Sequence, residues 1–214
     1  VISKYFLNEI GKYSTKDKYQ KTHIPFNMSE KPDLEIDFSR EKNFLSQMFF
    51  NKLSSLLNGD GFNWFYNSTS LNPNIYPYKK NSNFMFTHML FMEGEGKMSK
   101  WSDMFEPIIY SIDERFKVNK LLRMKLNLYT NQNKKIHQPS HCDITDTSDD
   151  KGNPLKGVNT SILNFTTCNG GTKIGNETYD SEANELITFS NTIKHNGIVQ
   201  TNTSTRVVLN INWE

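Results

Sequence analysis

Cysteine is nearly absent from this chain: Cys142 and Cys168 are the two in 214 residues. That excludes a disulfide scaffold and makes free thiols the expectation. No stretch approaches the ~20 consecutive apolar residues of a membrane span. The opening run "VISKYFLNEIGKYSTKDKYQ" lacks the ~7–15-residue apolar core of a secretion signal. A cytoplasmic protein without membrane association is therefore expected. Charge of one sign is not in excess either: 25 Lys and Arg stand against 23 Asp and Glu, a formal net charge of +2. With no dense Lys/Arg cluster, neither a nucleic acid nor an anionic membrane is demanded as partner. Alanine occurs once, at Ala183, while asparagine is abundant. Sequons such as "NST", "NFT" and "NET" are then accounted for by chance.

Aromatic residues are plentiful (15 Phe, 9 Tyr, 3 Trp), which argues against disorder. A chain of this length buries roughly 70% of its unfolded surface in one domain. No internal repeat or linker is visible, so residues 1–214 read as a single domain. Residues 1–120 form a helical and strand support region, and 121–214 form the core. The first 35 or so residues are polar, with a short helix or strand around "KYFLNEI". From Ser39 to Leu57 the spacing of Phe44, Leu45, Met48, Phe49, Leu53, Leu56 and Leu57 predicts a helix, capped by Ser39 and stopped by Asn58-Gly59. "FNWFYN" reads as a strand and "LNPNIYP" as a turn. "NFMFTHMLF" reads as a strand with Phe84, Phe86, His88 and Leu90 on one face. "SKWSDMFEPIIYSIDERF" reads as a second helix with Pro107 in its early turns.

At Leu121 the period changes to two. In "LLRMKLNLYT", Leu122, Met124, Leu126 and Leu128 share one face, and Arg123, Lys125, Asn127 and Tyr129 share the other. A strand with one apolar and one polar face can line a cavity. "GVNTSILNFTT", "NELITFSNTI" and "TRVVLNINWE" read as further strands. Many short strands in sequence predict a mainly β fold, a barrel or jelly roll, with N-terminal helices.

The chemistry-bearing residues gather in this second half. His141 and Asp143 lie two apart in "HQPSHCDITD", so in an extended segment both side chains face one way and Cys142 the other. His195 comes later, in "NTIKHNGIV", near the end of a predicted strand. Two imidazoles and one carboxylate are the donor set that holds non-heme Fe(II) with positions left open. An isolated HxD pair also arises by accident in loops, so its weight comes from the residues downstream of it. Arg206 sits in the apolar strand "TRVVLNINW", facing away from Val207, Leu209 and Ile211. A guanidinium there needs an anion, either the far carboxylate of a bound 2-oxo acid or a carboxylate of the protein. Asn127 and Tyr129 can assist in binding such an acid, or belong to an ordinary mixed-polarity strand. Arg123 and Lys125 can serve as anion partners or be solvated. His137 reads as a loop residue, His88 as structural and His23 as surface. Asp146, Asp149 and Asp150 read as a solvated acidic loop, and residues 144–158 as a candidate lid.

Taken in order, the "NLYT" strand, the pair "HCD", "SILNFTTCNGGTKI", "ELITFSNTIKHNG" and "TRVVLNINW" resemble the Fe(II)/2-oxoglutarate oxygenase superfamily, in its prolyl-4-hydroxylase-like branch. Such short enzymes also occur in phages. The resemblance runs from about Leu121 to the end. It implies a double-stranded β-helix of the jelly-roll, cupin-like kind. It implies Fe(II) held by His141, Asp143 and His195, with 2-oxoglutarate as cosubstrate and O2 as oxidant. It implies Arg206 on the C5 carboxylate, assisted by Tyr129 and Asn127, and a structural reversal at Gly170-Gly171. The implied reaction is hydroxylation of a C–H bond, of a peptidyl proline or a small metabolite, with release of succinate and CO2. Competing readings are a non-catalytic metal-binding jelly-roll module and an oxygenase acting on nucleic acid. Lys173-Ile174 after the glycine pair and the polar stretch "ITDTSDDKGNPLKG" depart from the pattern of the superfamily.

Overall fold

Alternation of apolar and polar side chains dictates the architecture. The computed structural model describes residues 36–68, 84–145 and 153–214, all within one unit, Asp33–Glu214. The chain runs β1 (Phe38–Lys42), α1 (Gln47–Leu57), β2 (Phe65–Asn67), β3 (Met85–Met92), β4 (Gly96–Lys97) and α2 (Ser102–Phe116). It continues through β5 (Leu121–Thr130), β6 (Asn159–Asn164), β7 (Cys168–Ile174), β8 (Glu177–Ser181), β9 (Glu185–Ser190), β10 (His195–Ile198) and β11 (Thr205–Trp213). Among the described residues the major sheet has the order β1-β9-β6-β11-β5-β3-β2, with β4 on β3, and the minor sheet the order β10-β7-β8. The paired strands are antiparallel. The fold is mainly β, a jelly roll with two helices among the described residues.

The two faces of the major sheet do different work. On β11, Val207, Leu209, Ile211 and Trp213 point outward, and Met124 and Leu126 of β5 join them. Against this face pack Phe50, Leu53 and Leu57 of α1 and Phe105, Ile108 and Ile112 of α2. Burying each such side chain contributes ~1.5–3 kcal/mol. The other face carries Ile162, Ile187, Phe189 and Val208, which meet Ile174 of the minor sheet. Polar residues of β5 and β11 are on this inner face, between the sheets.

Several expected elements differ. The helix expected from Ser39 is shorter, because Phe38–Lys42 is an edge strand on β9. Arg40 reaches the buried Glu185 carboxylate with Nε at 2.6 Å, so pairing with the sheet overrides the local helical spacing. Ser46, not Ser39, caps α1, accepting from the Phe49 N–H at 3.4 Å. Met48, assigned to the apolar face, is 83% exposed. Pro107 lies beyond the first turn of α2 and forfeits one helical hydrogen bond. In β3 a register shift falls between Met89 and Phe91, and His88 and Leu90 are both buried, as their shared face predicts. "KYFLNEI", "LNPNIYP", His23, Asp146, Asp149 and Asp150 lie outside the described residues.

Gly170 and Gly171 are not a reversal. They sit inside β7, at a shift in its register with β8 between Cys168 and Gly171. Their role is close approach: a Cβ on Gly171 would stand 2.1 Å from the Tyr179 carbonyl oxygen, and one on Gly170 would stand 2.7 Å from that of Ile198. The chain reverses instead around Gly175, which has φ +57. Gly171→Ala is expected to destabilise the fold by about 3 kcal/mol or more, as overpacking against backbone does. Gly61→Ala, where no atom lies within 4 Å of the added Cβ, is expected to be near neutral. The urea midpoints of the two variants check this.

Candidate metal centre

The two histidines are brought face to face by backbone pairing. His141 and His195 exchange both N–H···O bonds, each at 2.9 Å, across an isolated antiparallel bridge. Their rings stand 4.7 Å apart. His195 opens β10 rather than closing the preceding strand, as the sequence suggested. Two residues past His141, Asp143 enters the same space, while the Cys142 thiol turns away toward the Thr192 carbonyl at 3.8 Å. Asn191 fixes this segment: its Oδ1 accepts from the Asp143 and Ile144 N–H groups, both at 3.1 Å, and its Nδ2 donates to the Ile144 carbonyl at 2.6 Å.

One ligand atom from each of His141, Asp143 and His195 lies within 4.8 Å of the others. The His141 Nδ1 lies 3.0 Å from the Pro139 carbonyl and the His195 Nδ1 3.4 Å from that of Ile193. A carbonyl only accepts, so in neutral imidazoles these contacts put the proton on Nδ1. Each Nε2, facing Asp143 at 3.6 and 3.5 Å, then offers a lone pair. This is how histidines are oriented on a metal.

Asp143 is the electrostatic centre. Its side chain is 5% exposed and pairs with the Arg123 guanidinium at 2.8 Å. Its Oδ2 accepts from Asn210 Nδ2 at 2.9 Å and Asn212 Nδ2 at 3.2 Å. Burial works to raise the carboxyl, but the charge of the Arg123 guanidinium leads the opposing effects, and Asp143 is held well below the ordinary carboxylate range. Thr160 Oγ1, at 3.4 Å, is a further donor to Oδ2, whereas among these donors Oδ1 takes only Arg123, so a lone pair of Oδ1 has room for a metal ion.

The cavity over this centre is lined also by Lys125, Asn127, Tyr129, Gln138, Thr172 and Arg206. Arg206 is 1% exposed. Its Nη2 donates to Thr172 Oγ1 at 3.1 Å, its guanidinium lies over the Tyr129 ring at 5.3 Å, and its Nε and Nη1 have no partner among the described residues. Among those residues no protein carboxylate pairs with Arg206. The Asn127 Oδ1 and both amide atoms of Gln138 are likewise buried without partners there. Burial lowers the Arg206 guanidinium from its ordinary value and raises the Tyr129 hydroxyl. Burial, then the charge of Arg123, push the Lys125 ammonium down to about 8. Open guanidinium and amide groups beside a two-histidine, one-carboxylate set fit Fe(II) with a dicarboxylic oxo acid.

The structure thus brings His141, Asp143, His195, Arg206, Tyr129 and Asn127 together around one cavity. His137 is exposed, and His88 is held by the Asn63 carbonyl and Ser99 Oγ, each at 2.6 Å, in a separate hollow. Of the lid candidate, residues 146–152 lie outside the described residues, and its base is closed by a Thr145–Pro154 bridge. Sequence reasoning left Arg123 open between anion partner and solvated charge, and did not find Gln138, Asn210 or Asn212. The alternation of Asn210 and Asn212 with Arg206 on β11 was the signal for those two. Gln138 carries none.

No family model matches the chain, and no curated protein sequence matches it. Solved structures do. A 2OG-Fe(II) oxygenase family oxidoreductase from Burkholderia pseudomallei aligns with TM-score 0.57 and 6% identity over 82% of this chain and 84% of that one. The non-heme α-ketoglutarate-dependent epimerase SnoN from nogalamycin biosynthesis aligns at 0.54 and 9%, over 84% and 78%. A Trichoplax adhaerens prolyl hydroxylase, in complex with a hypoxia inducible factor peptide, aligns at 0.50 and 11%, over 82% of each. The chain has the fold of the 2OG-Fe(II) oxygenases. Neighbours described as an epimerase and as a prolyl hydroxylase share it, so the fold does not select the substrate.

The Arg123–Asp143 pair sets an expectation for the metal-free protein. Arg123→Met leaves a buried carboxylate short of its counter-charge and is expected to cost about 3 kcal/mol. Saturating Zn(II) should restore much of that loss by supplying positive charge at the same carboxylate. Urea unfolding with and without Zn(II) measures both.

Proposed function

We propose that this protein is an Fe(II)- and 2-oxoglutarate-dependent dioxygenase that hydroxylates a C–H bond, releasing succinate and CO2. The observation that carries the reading is Arg206: a buried guanidinium with two nitrogens unpartnered among the described residues, opening on the cavity that holds the His-Asp-His cluster. A metal-binding module without catalysis has no use for it. In this reading His141, Asp143 and His195 hold the iron, and Arg206 receives the C5 carboxylate of 2-oxoglutarate, with Tyr129 and Asn127 assisting.

When bound, iron and 2-oxoglutarate supply oxidative decarboxylation coupled to oxygen insertion, with O2 as oxidant. The chain's own residues bind, orient and dry. The backbone carbonyls of Pro139 and Ile193 keep both imidazoles turned with Nε2 inward. Arg123, Asn210 and Asn212 keep Asp143 ionised and fixed. Thr172 and the Tyr129 ring orient Arg206. Met85, Ile162 and Val208 line the cavity with apolar surface, which strengthens each charged contact by excluding water. The substrate is a peptidyl residue, proline first, or a small metabolite. The near-neutral charge weighs against nucleic acid. The two free, buried thiols of Cys142 and Cys168 suit the cytoplasm. Among the described residues no helix is long and apolar enough to cross a membrane.

Asp143→Ala is expected to abolish Fe(II)-dependent succinate release from 2-oxoglutarate. Undiminished release would remove Asp143 from the site. Arg206→Met is expected to weaken 2-oxoglutarate binding about 10- to 150-fold, the equivalent of one buried charged hydrogen bond. Anaerobic titration, following the visible absorption that appears with Fe(II), measures it, and an unchanged affinity would assign Arg206 a purely structural part.

A further inference from the structure

The cavity carries more positive charge than the proposed iron and cosubstrate neutralise. Pairing the charges shows where the surplus lies. The C5 carboxylate of 2-oxoglutarate answers Arg206, while its C1 carboxylate and Asp143 answer a divalent iron. Arg123 lies against Asp143 and also donates to the side-chain oxygens of Asn212 at 2.9 Å and Asn210 at 3.3 Å. Two cations are then left over: Arg123, which has these oxygens as acceptors, and Lys125, which has none among the described residues. Lys125 lines the cavity from the middle of β5, between Asn210 on β11 and Met89 on β3. No hydrogen bond or ion pair reaches its ammonium among the described residues. Asn210, its neighbour, has both side-chain atoms engaged, Oδ1 with Arg123 and Nδ2 with Asp143. Met89 offers a thioether. Lys125 is half-buried, and a cation on a cavity wall without a protein acceptor is open to an anion that enters the cavity.

Arg206 and Lys125 occupy opposite ends of the same face. Arg206 stands across from Tyr129, four residues along β5 from Lys125, a separation of roughly 13 Å in an extended strand. The partners of Asp143 cluster at the Lys125 end, since Asn210 is paired with Lys125 and Asn212 with Arg123. Lys125 therefore flanks the metal centre on the side away from the Arg206 end.

We propose that Lys125 receives an anionic group of the primary substrate, a carboxylate or phosphate, so that the substrate is a small acid with its charge close to the C–H bond that is oxidised. This rests on the oxygenase reading and narrows it. A proline inside a peptide carries no charge beside its ring, whereas a small acidic metabolite does.

The test uses the full chain loaded with Zn(II) and saturated with 2-oxoglutarate, with acetate as probe and ionic strength held constant with chloride. The thermal midpoint of the unsubstituted protein is expected to rise saturably, by about 3–6 °C at ten times the acetate Kd. The rise should vanish in Lys125→Met and persist in Lys125→Arg, which keeps the charge. No acetate-specific rise in the unsubstituted protein would overturn the inference, as would an equal rise in Lys125→Met. A tenfold or greater loss of 2-oxoglutarate affinity in Lys125→Met, measured by calorimetry and restored in Lys125→Arg, would also overturn it, because Lys125 would then serve the cosubstrate. Failure of the Zn(II)-loaded protein to bind 2-oxoglutarate is a separate result: it would strike at the oxygenase reading and would show before acetate is added.

Discussion

An ionised carboxylate held out of water is the constraint on which this structure turns. Asp143 stays charged in the interior because Arg123, Asn210 and Asn212 all reach it, with Thr160 Oγ1 at 3.4 Å as a fourth contact. Those groups come from β5, β11 and β6. They converge only in the observed register, in which Arg123 pairs with Asn212, Asn212 with Thr160, and Lys125 with Asn210. Side chains alternate faces along a strand, so a slip of one residue would turn the donors toward the helices and leave the carboxylate bare. Sheet register and site geometry are thus one requirement.

The same alternation explains why the helices are needed. Trp213, Ile211, Leu209 and Val207 are the outward half of β11, and α1 and α2 cover them. The Trp213 indole N–H is satisfied by Ser161 Oγ at 2.9 Å. With the outer face sealed, the inner face can carry arginine, lysine and asparagine. The minor sheet then closes over it and delivers His195 on β10, with His141 docked beside it. The glycine pair of β7 lets the backbones of β8 and the Ile198–Gln200 segment press close behind the site.

Period-two patterning made the inner wall legible in the sequence. Asn127, Tyr129 and Arg206 could be assigned to polar faces because their neighbours were plainly apolar, and His141 and Asp143 because two residues apart means one direction. What stayed hidden depended on partners far away in the chain. Residues 38–42 have a spacing that suits a helix, and only the open edge of β9 makes them a strand. Gly170-Gly171 looks like a turn until the Tyr179 and Ile198 carbonyls are seen against it. Arg123 was open between ligand and solvated charge because the choice rests on Asp143, twenty positions downstream in an irregular segment. Gln138 sits on no regular element, so no periodicity could orient it.

Chemistry on a shared fold is selected by the side chains around the site rather than by the fold, and here the selecting feature is charge. In the proposed reading, a divalent metal with one protein carboxylate and a dianionic cosubstrate carries one net negative charge, which Arg206 balances. Arg123 adds a cation that is shared among Asp143 and two asparagine oxygens. Lys125 has no hydrogen-bonded acceptor among the described residues, and burial and the charge of Arg123 pull its proton affinity down against the attraction of Asp143. A neutral substrate would leave Lys125 without an anionic partner. An acidic one would make the same residue a contact, and would fix the orientation of the reacting carbon at the same time.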